Sequence, residues 1–289
     1  MSALAVLLVL GAAVAHAAWN IVAHGVSRAG IPFLWCAAVA ATAIWMPVAW
    51  LTGGIGTDDL AGFGLGIAVS AVLHVVYMLV LQRGYALGNL STVYATARGT
   101  GPLLTVVVAV ALLGERPSLL AVVGIAAILI GVVAAGLVDR RPRDPGARRG
   151  IDPGIAFGLL TGVGIAAYTV WDTWALRTWS INPVAFMVGC TALEIPLYTL
   201  ALGRRIRAVV PLARREWRRL LAFGVLSPLA YILVLTAVTI APVALVAPMR
   251  EVSVVLVSLY GAFALREGRP AARVAASVVV AGGVVLLAL

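Results

Sequence analysis

The stretch Ala95-Thr-Ala-Arg98 meets Ala247-Pro-Met-Arg250 when the sequence is aligned with itself at a shift of 152 residues. Each stretch places an arginine inside an apolar segment, and the same shift superposes Glu115 on Glu267. It also superposes two sets of polar and aromatic residues: His16, Trp19 and Asn20 on Tyr168, Trp171 and Asp172. An apolar sequence without an internal repeat would not be expected to align its few polar residues in this way. The two halves of the chain are therefore predicted to be copies of one structural unit.

The composition is that of an integral membrane protein. Of the 289 residues, 63% are hydrophobic and only 11% are charged, which is more apolar surface than a soluble core of this size can bury. About 20 apolar residues are needed to cross a hydrocarbon core of about 30 Å. Ten such segments are predicted, at 2–23, 31–51, 60–81, 90–113, 118–138, 153–176, 183–202, 220–240, 242–265 and 271–289. The expected fold class is an all-α integral membrane protein of ten transmembrane helices, without a soluble domain.

All 21 basic residues are arginines, and their placement indicates topology rather than nucleic-acid binding. Seventeen lie in alternate loops that share one side or at the ends of the adjoining spans, whereas the opposite side has two, Arg116 and Arg177. Because positively charged loops stay in the cytoplasm, the polar loops at 139–152 and 203–219 are predicted inside and both termini outside. Five crossings per half then require the second half to enter the membrane inverted.

The domain boundaries follow from a central loop rich in arginine, proline and glycine. The first five-helix repeat is predicted at 1–138, a cytoplasmic linker at 139–152 and the second repeat at 153–289. Pro102 and Pro248 are expected to interrupt the fourth and ninth spans beside the two repeated arginines. Interrupted helices at corresponding positions of two repeats point to the binding site of a secondary transporter near the bilayer midplane.

Five charged residues fall well inside the apolar spans, away from the span ends: Arg98, Asp172, Glu194, Arg250 and Glu251. A charge at the centre of a membrane helix costs about 2.5–3.5 kcal/mol on insertion scales, so it persists facing a cavity or a partner. Two interpretations stay open, namely that these residues bind a solute or that they pair with one another. Adjacent side chains on a helix point about 100° apart, so Arg250 and Glu251 are not expected to form a direct ion pair with each other. Glu115 and Glu267, at the ends of spans four and nine, are expected to cap short helix hairpins.

The superposed aromatic and polar residues have i, i+3, i+4 spacing, which places each set on one helix face. Such a face suits a solute pocket; the alternative is helix packing with interfacial aromatics. Proton exchange through His16 or His74 is a further hypothesis. No cofactor or metal is expected. The candidate substrate-binding residues are His16, Trp19, Asn20, His74, Tyr77, Tyr94, Arg98, Tyr168, Trp171, Asp172, Arg250 and Glu251.

Four segments carry a family resemblance: His16-Ala-Ala-Trp-Asn20, Ala97-Arg-Gly-Thr-Gly-Pro-Leu-Leu104, Leu113-Gly-Glu-Arg-Pro117 and Val246-Ala-Pro-Met-Arg-Glu-Val-Ser253. Together they resemble the EamA-domain family of the drug/metabolite transporter superfamily, over the whole chain. The resemblance implies a ten-helix inner-membrane carrier built of two EamA-like repeats. Its spans 1, 3, 4, 6, 8 and 9 would surround a central cavity, and its relatives move amino acids, other metabolites or drugs, commonly outward.

The leading interpretation is a secondary transporter that exports a small polar metabolite, amino-acid-like or otherwise anionic, by alternating access. Arg98 and Arg250 are the candidates for holding an anionic group. An exporter of cationic drugs is the alternative within transport. A membrane-embedded enzyme would need a nucleophile or base with partners near the interface, and no such cluster is visible in the sequence. A passive scaffold would use its membrane charges for packing only.

Overall fold

The computed structural model describes residues 1–23, 26, 29–88, 90–138, 152–263 and 270–289. Within these ranges the chain is helical and contains no strand, which confirms the all-α fold class. The predicted linker, apart from Asp152, and Glu267 lie outside the described residues. The helices are α1 (Ala3–Ala23), α2 (Ile31–Leu51), α3 (Leu60–Leu87), α4 (Leu90–Leu112), α5 (Leu119–Val138), α6 (Pro153–Trp179), α7 (Pro183–Leu202), α8 (Val209–Ile240), α9 (Val243–Arg250), α10 (Val252–Phe263) and α11 (Pro270–Ala288).

Several of these helices begin at a side chain that accepts a hydrogen bond from the backbone of the first turn. Such caps satisfy N–H groups that have no partner within the helix. The capping contacts are Asp59 with Gly62 before α3, Ser118 with Ala121 before α5, Asp152 with Gly154 before α6, and Asn182 with Val184 and Ala185 before α7. The helix starts are therefore encoded by short polar residues between apolar runs.

Nine helical stretches in the described part of the chain are long and apolar enough to cross a membrane. One of them, Pro183–Ile240, is 58 residues long and contains both α7 and α8. Large apolar side chains are exposed along many of the helices, as expected where helices face lipid. The chain is a multi-pass membrane protein, and the number of ten crossings stays a prediction.

The segment 203–219, predicted as a loop, is helical instead. It forms a short 3-10 helix, Gly203–Ala208, followed by the first turns of α8 up to a kink at Glu216 (φ −113°, ψ 18°). Val209 and Leu212 are buried one helical turn apart, so the segment has an apolar face beneath its arginines. Arginine is a good helix former, and a count of polar residues alone does not detect this amphipathic pattern.

Two compact units share the helices. The first comprises Met1–Ala3, Tyr77–Thr169 and Pro242–Leu289. Within it α5 packs against α11 and α4 against α9. Glycines allow the close approach of α5 and α11, since a Cβ on Gly124 would lie 2.8 Å from the carbonyl oxygen of Gly283.

The second unit comprises Leu4–Val76 and Val170–Ala241. Within it α2 packs against both α7 and α8, and the indole of Trp45 donates a hydrogen bond to the carbonyl of Gly224 at 3.1 Å. Each unit therefore takes helices from both halves of the sequence, and α3 and α6 contribute residues to both.

The two predicted helix interruptions have different outcomes. α4 continues through Pro102 as an unbroken helix, because one proline removes only a single backbone donor. The ninth span does break, between α9 and α10. There Glu251 N–H bonds to the Pro248 carbonyl and Val254 N–H to the Glu251 carbonyl, a tighter pattern than that of an α-helix.

Candidate functional site

Arg98 and Glu251 form a buried ion pair in the first unit. Arg98 Nη1 lies 3.3 Å from Glu251 Oε1, and the two side chains are 12% and 1% exposed. Arg98 comes from the middle of α4, and Glu251 lies at the break between α9 and α10. For Arg98, one of the two repeated arginines, the structure therefore shows pairing with another charged residue.

Arg250 also lies close to the same carboxylate. The expectation that Arg250 and Glu251, as neighbours in sequence, do not pair directly is therefore wrong. Its Nε is 3.9 Å from Glu251 Oε1. The 100° separation of adjacent residues holds for a continuous helix, whereas α9 ends at Arg250 and Glu251 adopts ψ −6°. The helix break thus places one carboxylate between two guanidinium groups.

Three tyrosines surround these charges. The Arg98 guanidinium lies 5.2 Å from the centre of the Tyr94 ring, a distance suited to a cation–π contact. The rings of Tyr77 and Tyr168 lie 5.1 Å apart, and both tyrosines are electrostatic neighbours of Arg98. We call this group, Tyr77, Tyr94, Arg98, Tyr168, Arg250 and Glu251, the arginine cluster.

The arginine cluster carries one positive charge in excess, because two guanidinium groups face one carboxylate. Arg250 is 7% exposed and Glu251 fully buried. Arg250 Nε and Glu251 Oε2 are buried without a hydrogen-bond partner. Buried polar atoms normally find partners, and an uncompensated buried cation is costly. The arrangement is therefore chemically suited to bind an anionic group, whose negative charge would balance the excess positive charge.

A second polar group, in the second unit, centres on Asp172 of α6. The Tyr231 hydroxyl donates a hydrogen bond to Asp172 Oδ2 at 2.5 Å, and Ser70 lies beside the same carboxylate. Glu194 of α7 is an electrostatic neighbour of Asp172. We call this group, Ser70, His74, Asp172, Glu194 and Tyr231, the carboxylate cluster.

His74 joins the carboxylate cluster from α3. Its Nδ1 lies 2.9 Å from the Ser70 carbonyl oxygen, and because a carbonyl only accepts, Nδ1 carries the proton and donates. The imidazole ring lies edge-on to the Tyr231 ring at 5.3 Å. Tyr77, three residues further along α3, belongs instead to the arginine cluster of the first unit.

The predicted face of α1 forms an aromatic contact in the second unit. The rings of His16 and Trp19 lie 4.7 Å apart, and Trp19 contacts Phe223 at 5.1 Å. Asn20 Nδ2 donates to the carbonyl of His16 at 2.7 Å. The structure therefore brings His16 and Trp19 together with α8.

The related face of α6 is divided between the units. Tyr168 belongs to the arginine cluster, whereas Trp171 and Asp172 belong to the second unit. Trp171 donates its indole N–H to the Gly66 carbonyl at 3.0 Å and stacks near Trp174 at 5.2 Å. Its contacts are those of a packing residue, which favours the packing alternative for this one position.

Sequence reasoning missed Tyr231 and Ser70 as site residues. Both are polar residues within apolar segments, and Tyr231 lies in the middle of the predicted eighth span. A search for hydroxyl groups as well as charges would have found them. In the residues that the structure describes, no three His, Cys, Asp or Glu side chains are grouped to hold a metal ion.

Glu115 caps a helix that is distant in sequence. Its Oε1 accepts from Val243 N–H at 2.9 Å and its Oε2 from Ala244 N–H at 2.8 Å, which are the first residues of α9. A carboxylate at a helix N-terminus is stabilised by these donors and by the helix dipole. The sequence placed the Glu115 cap at the hairpin that follows span four, whereas in the structure Glu115 caps α9, the helix that ends at Arg250.

Glu115→Ala is expected to lower the stability of the folded protein by about 1–3 kcal/mol, because two buried N–H donors lose their acceptor. Thermal unfolding in detergent measures the change. Glu115→Gln is the matched control, since its single amide oxygen replaces one of the two acceptors and should restore part of the loss. Equal unfolding temperatures for wild type and Glu115→Ala would contradict the capping role.

Comparison with known proteins agrees with this architecture. The model of the EamA-like transporter family matches residues 3–137 and 152–289, so the family pattern occurs twice along the chain. A solved structure described as "Crystal structure of protein" is similar in fold, with a TM-score of 0.74 and 19% sequence identity over 98% of each chain. No curated protein matches the sequence.

Proposed function

Because the chain belongs to the EamA-like transporter family, we propose that it is a secondary carrier that exports a small polar metabolite with an anionic group, such as a carboxylate, across the inner membrane. The family consists of membrane transporters rather than enzymes, and a small molecule is the expected substrate class. The negative charge proposed for the substrate is inferred from the arginine residues of this chain and not from the family.

The excess positive charge of the arginine cluster is the observation that carries the proposal. Glu251 and the Tyr94 ring hold Arg98 in place, at 3.3 Å and 5.2 Å. Arg250 keeps a buried Nε without a hydrogen-bond partner. A planar guanidinium binds a carboxylate through charge-assisted hydrogen bonds, and such a bond is strong where water is excluded. Arg250 is thus the proposed anchor, and Arg98 the second charge that attracts the anion.

The proposed transport cycle is alternating access between two inverted repeats. The repeats are assigned to 1–138 and 153–289, with ten crossings in all, and the odd number per repeat gives the inversion. In carriers of this kind the binding site lies near the bilayer midplane and the repeats open it to each side in turn. The break at Glu251 supports this assignment, because irregular backbone within a membrane is tolerated where it is buried in protein or lines a cavity.

Both termini are expected outside the cell membrane, because 17 arginines lie between or at the ends of the predicted spans on one side and two on the other. Alkaline phosphatase fused to the C-terminus should be active, and a green fluorescent protein fused there should stay dark. As a control, the same reporters placed in the 139–152 loop should give the reverse pattern. A fluorescent C-terminal fusion with inactive phosphatase would show the opposite orientation.

An exporter of cationic compounds is the second candidate. The observation in its favour is the carboxylate cluster, where Asp172 is buried and Glu194 lies nearby. The first candidate is preferred because the arginine cluster has an unbalanced charge that an anion would neutralise.

Purified protein in proteoliposomes tests the proposal. Vesicles loaded with a panel of amino acids, organic acids, neutral solutes and cationic compounds are followed for efflux, with and without a proton gradient. We expect anionic solutes to leave protein-containing vesicles chemically unchanged, faster than from empty vesicles. Efflux of cationic compounds alone would favour the second candidate, and a chemically altered product would indicate an enzyme.

A further inference from the structure

Asp172 is a buried carboxylate whose charge is not balanced. It is 1% exposed, and its Oδ1 has no hydrogen-bond partner. The other oxygen, Oδ2, accepts the hydroxyl of Tyr231 at 2.5 Å. No ion pair found among the described residues includes Asp172.

The titratable groups around Asp172 come from three helices. α3 contributes His74, α7 contributes Cys190 and Glu194, and α8 contributes Tyr231. His74 directs its Nδ1 proton to the Ser70 carbonyl and lies against the Tyr231 ring rather than beside the carboxylate. The neighbours are thus a second acid, a thiol, a phenol and a histidine whose Nδ1 is hydrogen-bonded to the Ser70 carbonyl.

Glu251 gives an internal contrast, because it is equally buried but lies between two arginines. Its Oε1 is 3.3 Å from Arg98 and 3.9 Å from Arg250. Two guanidinium groups there offset the negative charge of one carboxylate. At Asp172 the same charge would have no counter-ion, and a second carboxylate nearby makes ionisation of both groups more costly.

We propose that Asp172, with Glu194 beside it, is the proton-binding site of the carrier. This proposal rests on the proposed secondary transport and assigns its coupling ion to a carboxylate rather than to His16 or His74. When the site is loaded, an O–H bond forms at Oδ1 with a proton taken from water. When it is discharged, that bond breaks and the proton returns to water on the opposite side.

A metal cation would fit this position less well. Hard cations require a shell of about six or more oxygen ligands, whereas the described contacts of the Asp172 carboxylate supply one hydroxyl, that of Tyr231, on Oδ2 and leave Oδ1 without a hydrogen-bond partner. A single proton neutralises the carboxylate and needs no such shell.

Labelling with dicyclohexylcarbodiimide tests the proposal without any substrate. This apolar reagent enters membranes and adds to carboxyl groups only in their protonated form, so mass spectrometry of peptides identifies the protonated acids. In wild-type protein in lipid nanodiscs, we expect labelling at Asp172 to exceed that at Glu251 by at least about tenfold, because guanidinium groups lie 3.3 Å and 3.9 Å from the Glu251 carboxylate. The label at Asp172 should decline as the pH is raised.

Two variants sharpen the test. Asp172→Asn should remove the label from position 172 while Glu251 stays unlabelled, which also shows that the variant is folded. His74→Gln should change labelling of Asp172 less than about twofold, since the histidine is engaged with Ser70.

The proposal is overturned if Asp172 stays unlabelled at every pH in the wild-type protein, or if Glu251 is labelled as strongly. Loss of Asp172 labelling in His74→Gln, with Glu251 still protected, would show that protonation of Asp172 depends on the histidine and would overturn its assignment to the two carboxylates alone. Because the assay follows protonation and not solute movement, its failure is separate from a failure of the vesicle efflux experiment.

Discussion

Arg250→Ala is expected to abolish transport of an anionic substrate while the protein stays folded. The change removes the guanidinium whose Nε has no hydrogen-bond partner and leaves the 3.3 Å pair of Arg98 with Glu251 intact. The arginine cluster then has no excess charge with which to hold an anion. Truncating one member of a buried charge pair costs about 2–5 kcal/mol, so we expect the rate at low substrate concentration to fall at least about thirtyfold.

Efflux from proteoliposomes, normalised to folded protein by size-exclusion chromatography, measures the effect. Arg250→Lys is the matched control, because it keeps the charge but loses the planar fork, and should retain part of the activity. Wild-type specific activity in Arg250→Ala would assign Arg250 to helix packing and would remove the observation that supports an anionic substrate.

The fold could be predicted largely from hydrophobicity, because a membrane-spanning helix needs a run of apolar residues whatever its neighbours are. The helix starts at Asp59, Ser118 and Asn182 follow from local capping rules in the same way. The helix in 203–219 is not predicted from polarity, because a segment rich in arginine is typical of a loop. The buried side chains of Val209 and Leu212 reveal its apolar face. Amphipathic periodicity, rather than polarity, was the missing signal.

The sequence allows the charged residues of the arginine cluster to be picked out, but not the contacts that they make with one another. Arg98, Arg250 and Glu251 are conspicuous because charged residues are rare in apolar segments. The contact of Arg98 with Glu251 joins residues 153 positions apart, and a single sequence contains no direct signal for such a pairing. The break at Glu251 depends on how Pro248 and its neighbours bond, and it decides which side chains meet.

Breaking the Arg98–Glu251 pair is expected to have the largest effect on stability. Arg98→Ala leaves the fully buried Glu251 carboxylate with only the 3.9 Å contact to Arg250, and removing one partner of a buried ion pair costs about 3–5 kcal/mol. We expect a lower unfolding temperature in detergent and little transport from the surviving folded protein, because the remaining two charges cancel.

The double variant Arg98→Ala/Glu251→Gln separates charge balance from structure. It removes one positive and one negative charge, so the arginine cluster keeps the net charge of the wild type on Arg250 alone. We expect it to recover most of the stability lost in Arg98→Ala, since no carboxylate is left without a partner, and to regain part of the transport of anionic solutes. Stability losses that simply add in the double variant would show that the two side chains are energetically independent. Recovery of stability without any recovery of transport would mean that Arg98 itself contacts the substrate, and that both arginines are needed to hold the anion.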